Sequence, residues 1–276
     1  MLPEYTQTYQ AIIAFFVIGY GITTVEYLAI AAQFAPGGIF AWRLHSLDWG
    51  MRVRGASFKR ALSTVYSQQG VLLMLWLRLL ALVGLVVVPV DSPITPLLLT
   101  VIVGSTLLFN ARQTYGGDGA DQMLSLLALT LLLCLNPFST PLTLSAGLWF
   151  IALQACTAYC AAGVAKLISP VWRGGDAVYK VFNTGSYGIA SVGQYLGKHK
   201  TMRLLLSWSV MIAETLFPLV LFLPAPFNWV FLAWGAVFHL LNALIMGLNT
   251  FFWAFLATYP AILFVSAQMQ HALYGG

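Results

Sequence analysis

The run VLLMLWLRLLALVGLVVV, residues 71–88, decides the fold. It carries a single charge, Arg78, and lies between Gly70 and Pro89. A helix needs about 20 consecutive apolar residues to cross the hydrocarbon core of a bilayer, and this stretch supplies them. The pattern repeats along the chain. Apolar runs at 10–34, 68–90, 94–112, 121–136, 143–168, 203–224, 227–248 and 250–269 are separated by helix breakers. Pro89, Pro93, Pro137, Pro141, Pro224 and Pro226 fall in the tight connections, where helices end. The fourth run is short, as expected of a helix that is tilted or half-buried in protein. Of the 276 residues 60% are hydrophobic and only 8% charged, whereas a soluble domain carries about 25% charged residues. The expected fold is therefore all-α: a polytopic integral membrane bundle of eight transmembrane helices.

Eight spans put both termini on one face and the long loops 35–67 and 169–202 on the other, together with the short 113–120 loop. Eleven of the thirteen lysines and arginines fall on that second face, and the other two, Arg78 and Lys166, lie within spans. The terminal face has none. Basic loops stay in the cytoplasm, so the termini are expected outside. No basic segment precedes the first apolar run, so no cleavable signal is expected. The net charge of +5 fits basic loops and does not argue for nucleic acid.

The two long loops mix aromatic and basic residues. Segment 38–63 holds Phe40, Trp42, Leu44, Trp49 and Phe58, and segment 171–199 holds Trp172, Tyr179, Phe182, Tyr187 and Tyr195. Such mixtures suit short helices in the membrane interface, either as headgroup anchors or as a platform over a cavity. Cys134, Cys156 and Cys160 all lie in apolar runs. Cys156 and Cys160 share a helix face, but no further Cys or His stands nearby at ligand spacing. They read as packing thiols, and no metal is expected.

Ionisable groups are costly inside lipid, so each one within a span is a functional candidate. They are Glu26, placed near mid-helix, Arg78, Lys166, Glu214 and His239. Asn242 follows His239 by three residues, and Tyr159 precedes Lys166 by seven, each pair on one helix face. Structural readings stand beside the functional one. Arg78 pairs with Glu26 or Glu214, His239 and Asn242 bond neighbouring helices, and Lys166 snorkels to the headgroups. The functional reading is a cavity. Lys166, His239 and Asn242 fall in the cytoplasmic halves of their spans, and the Asn110–Asp121 segment, with Arg112, Gly116, Gly117 and Asp118, lies on that face. Gly116 and Gly117 suit a tight turn, and Asp118 or Asp121 suits a helix N-cap. Lys166 has Ala162 and Gly163 one turn back, which lets another helix approach and points its face into the bundle. A desolvated lysine can act as a base, with His239, Asn242 and the carboxylates orienting a quinone-like or peptide substrate.

The stretch Tyr159-Cys160-Ala161-Ala162-Gly163-Val164-Ala165-Lys166-Leu167, followed by Trp172 and Gly174, resembles the lysine signature of the vitamin K-dependent γ-carboxylase-like family, whose membrane part is called the horizontally transferred transmembrane domain. The Asn110–Asp121 segment, the helix around Glu214 and the Phe238-His239-Leu240-Leu241-Asn242 helix resemble further family segments in the same order. The resemblance implies one transmembrane domain over 1–276, in the short bacterial form set in the cytoplasmic membrane. It implies that Lys166 deprotonates a quinone or vitamin K-like hydroquinone, with His239 and Asn242 at the same cavity. Ala165, just before Lys166, stands where the eukaryotic enzymes have another lysine, and those enzymes continue into a large soluble β-rich portion.

Three functions follow as alternatives. The first is a membrane enzyme acting on a quinone or peptide, with Lys166 and His239 catalytic and Asn242, Glu214, Tyr159, Asn110, Arg112, Asp118 and Asp121 binding. The second is a non-catalytic subunit that anchors or matures a partner membrane or cytoplasmic protein or a secreted peptide. The third, a small transporter, lacks an inverted repeat.

Overall fold

A lipid-soluble chain must satisfy its backbone polar groups internally, and helices do this within each segment. A computed structural model describes residues 2–52, 55–112 and 118–275, with no side-chain description for 48–52. It is 82% helical and has no strand among these residues, so the fold is all-α. Gly116 and Gly117 of the expected turn lie outside the described residues. The chain separates into two compact units, 1–144 and 145–276.

The first unit contains α1 (Pro3–Ala29), a 3₁₀ turn (Ala31–Phe34), α2 (Trp42–Arg52), α3 (Ala56–Val65), α4 (Gln68–Val87), α5 (Thr95–Arg112) and α6 (Gly119–Cys134). Helix α1 packs on α4 and α6, and α5 packs on both α4 and α6. Ser67 caps α4 by accepting a bond from the Gly70 N–H. Asp118 caps α6 by accepting from the N–H groups of Ala120 and Asp121. Both caps satisfy donors that a helix start leaves free. Along α4, Val71, Leu75, Leu82 and Leu85 are buried while Leu73, Leu80 and Val87 are exposed. Both faces are apolar, as expected of a helix with lipid on one side.

The boundary between the units falls in the first turn of α7 (Pro141–Ile168). The second unit continues with α8 (Pro170–Arg173), α9 (Asp176–Phe182), α10 (Ala190–Lys198), α11 (Lys200–Leu216), a 3₁₀ turn (Phe217–Leu221), α12 (Phe227–Met246), α13 (Asn249–Leu256) and α14 (Tyr259–Tyr274). Gly247, at a φ of 72°, ends α12 in the left-handed conformation that a residue without Cβ adopts at no cost.

Seven helical segments among the described residues are long and apolar enough to cross a membrane: Pro3–Ala29, Gln68–Val87, Thr95–Arg112, Pro141–Ile168, Lys200–Leu221, Phe227–Met246 and Asn249–Tyr274. The fourth expected span, 121–136, is the shorter apolar helix Gly119–Cys134. Loops 35–67 and 169–202 contain the short helices the aromatic–basic mixture predicts. The last span is interrupted at Ala257–Thr258, and Pro260 lies in the first turn of α14. Proline has no N–H to continue a helical ladder but fits a helix start.

Helix α1 starts earlier than the apolar run suggests and stops at Ala29. Glu26 is therefore exposed in its last turn and not near mid-helix. The expected Arg78–Glu26 pair is absent among the described residues. Arg78 donates instead from Nε to Ser105 Oγ at 3.0 Å and from Nη2 to the Ser105 carbonyl at 3.1 Å. Its guanidinium also lies 5.0 Å from the Tyr20 ring centroid and 5.5 Å from that of Phe109. A planar cation with five donors can be held this way by rings and neutral oxygens.

Candidate functional site

The site begins with a close helix approach. A Cβ on Gly163 would meet the Thr215 backbone nitrogen and Oγ1 at 2.5 Å. Only a residue without a side chain lets α7 lie this near α11. Lys166 follows Gly163 by three residues and Glu214 precedes Thr215, so the approach brings the two charges together. Lys166 Nζ donates to Glu214 Oε2 at 2.6 Å. The lysine side chain is 19% exposed and the carboxylate 4%. The ammonium also sits 5.4 Å from the Trp172 ring centroid, on α8. Lys166 thus points to a carboxylate acceptor within the unit.

Beside this pair is a cavity of about 200 Å³. Lys166, Glu214, Tyr159, His239 and Asn242 line it together with Ala158, Ala162, Phe238, Leu248, Phe251 and Phe255. Five residues singled out in the sequence therefore share one space, contributed by α7, α11 and α12. Neither Nδ1 nor Nε2 of His239 has a hydrogen-bond partner, although the residue is only 5% exposed. Stacking fixes the ring in their place. Phe255 lies 4.3 Å away at an interplanar angle of 15°, Tyr159 lies at 5.5 Å, and Phe238 meets the ring edge-on at 5.1 Å. The Asn242 amide likewise makes no hydrogen bond among the described residues. Tyr159 stacks on Phe217 at 3.8 Å, and its hydroxyl is 3.3 Å from that of Tyr259. Gly235 leaves room for both phenols, because a Cβ there would collide with the Tyr259 hydroxyl and come within 2.9 Å of the Tyr159 hydroxyl.

Buried polar groups are almost always hydrogen-bonded, and an exception calls for an explanation. The two imidazole nitrogens of His239 are such an exception, and the residue lines an aromatic-walled cavity. An apolar cavity of about 150 Å³ holds benzene, so this one suits a single substituted ring system. A long tail would have to extend outside it.

The other four candidates belong to the first unit. Arg112 is buried, donates to the Phe40 carbonyl and lies 4.8 Å from the Phe34 ring centroid, holding the segment after α1. Asn110 donates to Ser125 Oγ at 3.2 Å, tying α5 to α6. Asp118 is the α6 N-cap, and Asp121 occupies the first turn of that helix. The cavity lining is drawn from the second unit alone.

Sequence reasoning missed Phe217, Phe251, Phe255 and Tyr259. The i, i+4 spacing of Phe251 and Phe255 places them on one helix face and is a signal for two of them. Phe217 and Tyr259 stand next to helix breaks, where periodicity fails. Cys134 and Cys156 are buried and Cys160 is half-buried, all as free thiols. No family model, curated protein or solved structure matches this chain.

Proposed function

We propose that this chain is an integral membrane enzyme of the vitamin K-dependent γ-carboxylase-like family, with Lys166 acting as a base on a quinol in the cavity of the second unit. One observation carries the reading: a buried His239 with both nitrogens bare, facing a cavity shared with a lysine–carboxylate pair. The residues fit a quinol. Phe251, Phe255 and Tyr159 offer flat apolar walls, and Lys166, His239 and Asn242 offer polar groups for ring oxygens.

A bound hydroquinone supplies an ionisable hydroxyl and two electrons, which the side chains lack. Lys166 and Glu214 form an ion pair at the edge of the cavity. As a base Lys166 would take that hydroxyl proton and hold it at Nζ, with the Glu214 carboxylate beside it balancing the charge. His239 and Asn242 would hold the group through their cavity-facing polar atoms. The same base serves a peptide substrate if one enters. Orientation with basic loops in a bacterial cytoplasm and termini outside belongs to this proposal, on the charge asymmetry between the faces.

The second reading is a non-catalytic subunit that anchors or matures a partner protein or a secreted peptide. It draws on the ion pair being complete within the chain. Anaerobic titration of the purified protein with 1,4-naphthohydroquinone, followed by the absorbance of its ionised form at neutral pH, separates the two. The enzyme reading predicts binding with ionisation by the native chain, and binding without ionisation by Lys166→Arg, because a guanidinium cannot serve as a base. Equal ionisation by both, or no binding, would support the subunit reading.

A further inference from the structure

Helix α3 presents its apolar side outward. Phe58, Ala61, Leu62 and Val65 recur at i, i+3, i+4 and i+7, the spacing of one helix face. No residue of α3 is buried, and Phe58 is 54% exposed. The contact to α2 is made from the polar side, where Trp42 Nε1 donates to Ser63 Oγ at 3.3 Å. On α2, Leu44 and Leu47 are also exposed. Leu62 is half-buried, and the rest of the apolar stripe is exposed.

Position says what lies next to it. Only Tyr66 and Ser67 separate α3 from the start of α4, a span candidate. At about 3.5 Å per residue, α3 ends within roughly 10 Å of the start of that span. Charge says which surface. Arg43, Lys59 and Arg60 are exposed and have no side-chain partner among the described residues. Segment 35–67 holds two further arginines, Arg52 and Arg54, and one acid, Asp48.

We infer that α2 and α3 form a docking surface for anionic phospholipid, with Phe58, Leu62 and Val65 seated among acyl chains and Arg43, Lys59 and Arg60 on the headgroup phosphates. Amphipathic helices with basic flanks bind anionic interfaces this way. The inference stands on the first unit and is independent of the chemistry proposed for the second.

Native mass spectrometry of the full chain in detergent tests it, with phosphatidylglycerol and phosphatidylcholine of matched chains as probes. The native protein should retain the anionic lipid in preference to the zwitterionic one, and added salt should erode the preference. Lys59→Gln should lower the preference roughly fivefold, and the triple variant R43Q/K59Q/R60Q on the order of a hundredfold. The single variant keeps the test valid if the triple one folds poorly. Equal retention of the two lipids by the native chain, or an unchanged preference in Lys59→Gln, would overturn the inference. So would an acidic soluble protein, and not lipid, as the partner lost on neutralising these cations.

Discussion

Arg78 and Lys166 both lie within span candidates, and the chain handles them differently. In the first unit Arg78 is 2% exposed and is held by Ser105 and the Tyr20 and Phe109 rings. In the second, Lys166 is held by a carboxylate and opens onto a cavity with a bare imidazole. An arginine spreads its charge over a plane that stacks and donates, so neutral oxygens and rings suffice. A lysine is a compact charge that loses a proton more readily. Burial of a charge alone therefore does not mark a candidate site; the cavity and the unpartnered His239 beside Lys166 set it apart from Arg78.

Replacing each cation by an apolar residue of similar length should separate the two most clearly. Lys166→Met leaves Glu214 buried without its partner, which typically costs about 3–5 kcal/mol. Arg78→Met leaves no charge behind, and Ser105 Oγ keeps its bond to the Ile102 carbonyl. Its stability should change by less than about 1.5 kcal/mol. Thermal unfolding in detergent reads both. The double variant K166M/E214M should recover most of the loss while remaining unable to ionise the naphthohydroquinone. Equal losses for Lys166→Met and Arg78→Met would remove the distinction between the two units.

A smaller effect is expected from the helix approach. Gly163→Ala forces the backbone of α7 away from Thr215 and should cost about 1–3 kcal/mol. Gly104, in α5, has nothing within 4 Å of an added Cβ. Gly104→Ala should therefore be neutral or stabilising by a few tenths of a kcal/mol to about 1 kcal/mol. A melting temperature that falls for Gly104→Ala and holds for Gly163→Ala would contradict the close approach. The smallest effect concerns Asp118. Asp118→Ala should lose about 1 kcal/mol by removing a helix cap, and Asp118→Ser should restore most of it. Loss of ligand binding without loss of stability would return Asp118 to the binding site.

Much of this was legible in residue order. Hydropathy and prolines mark the helical segments, because lipid leaves so little choice of backbone structure. The polar core of the cavity was legible too. His239 and Asn242 share a face by spacing, and Gly163 beside Lys166 announces a close neighbour. Glu26 was misplaced because α1 begins with Pro3-Glu4-Tyr5, polar enough to look like a flanking segment, yet proline is well suited to a helix start. The break before Pro260 was hidden inside a continuous apolar run. It separates α13, which carries Phe255, from α14, which carries Tyr259, so the contact of Tyr259 with the Tyr159 hydroxyl escapes a reading based on uninterrupted helices. Arg112 looked like a ligand-binding cation because its partner is a backbone carbonyl far away in sequence, that of Phe40. Residue type does not encode such a partner.

The Lys166–His239 cavity is expected to take a ring-sized ligand. Extraction of the purified native chain and of His239→Leu, with small molecules identified by mass spectrometry, tests it most directly. A ring-bearing compound recovered in near-stoichiometric amount from the native protein and lost from a folded His239→Leu variant is the predicted result. Recovery of phospholipid alone from the native protein, or of the same compound in equal amount from both, would contradict the account.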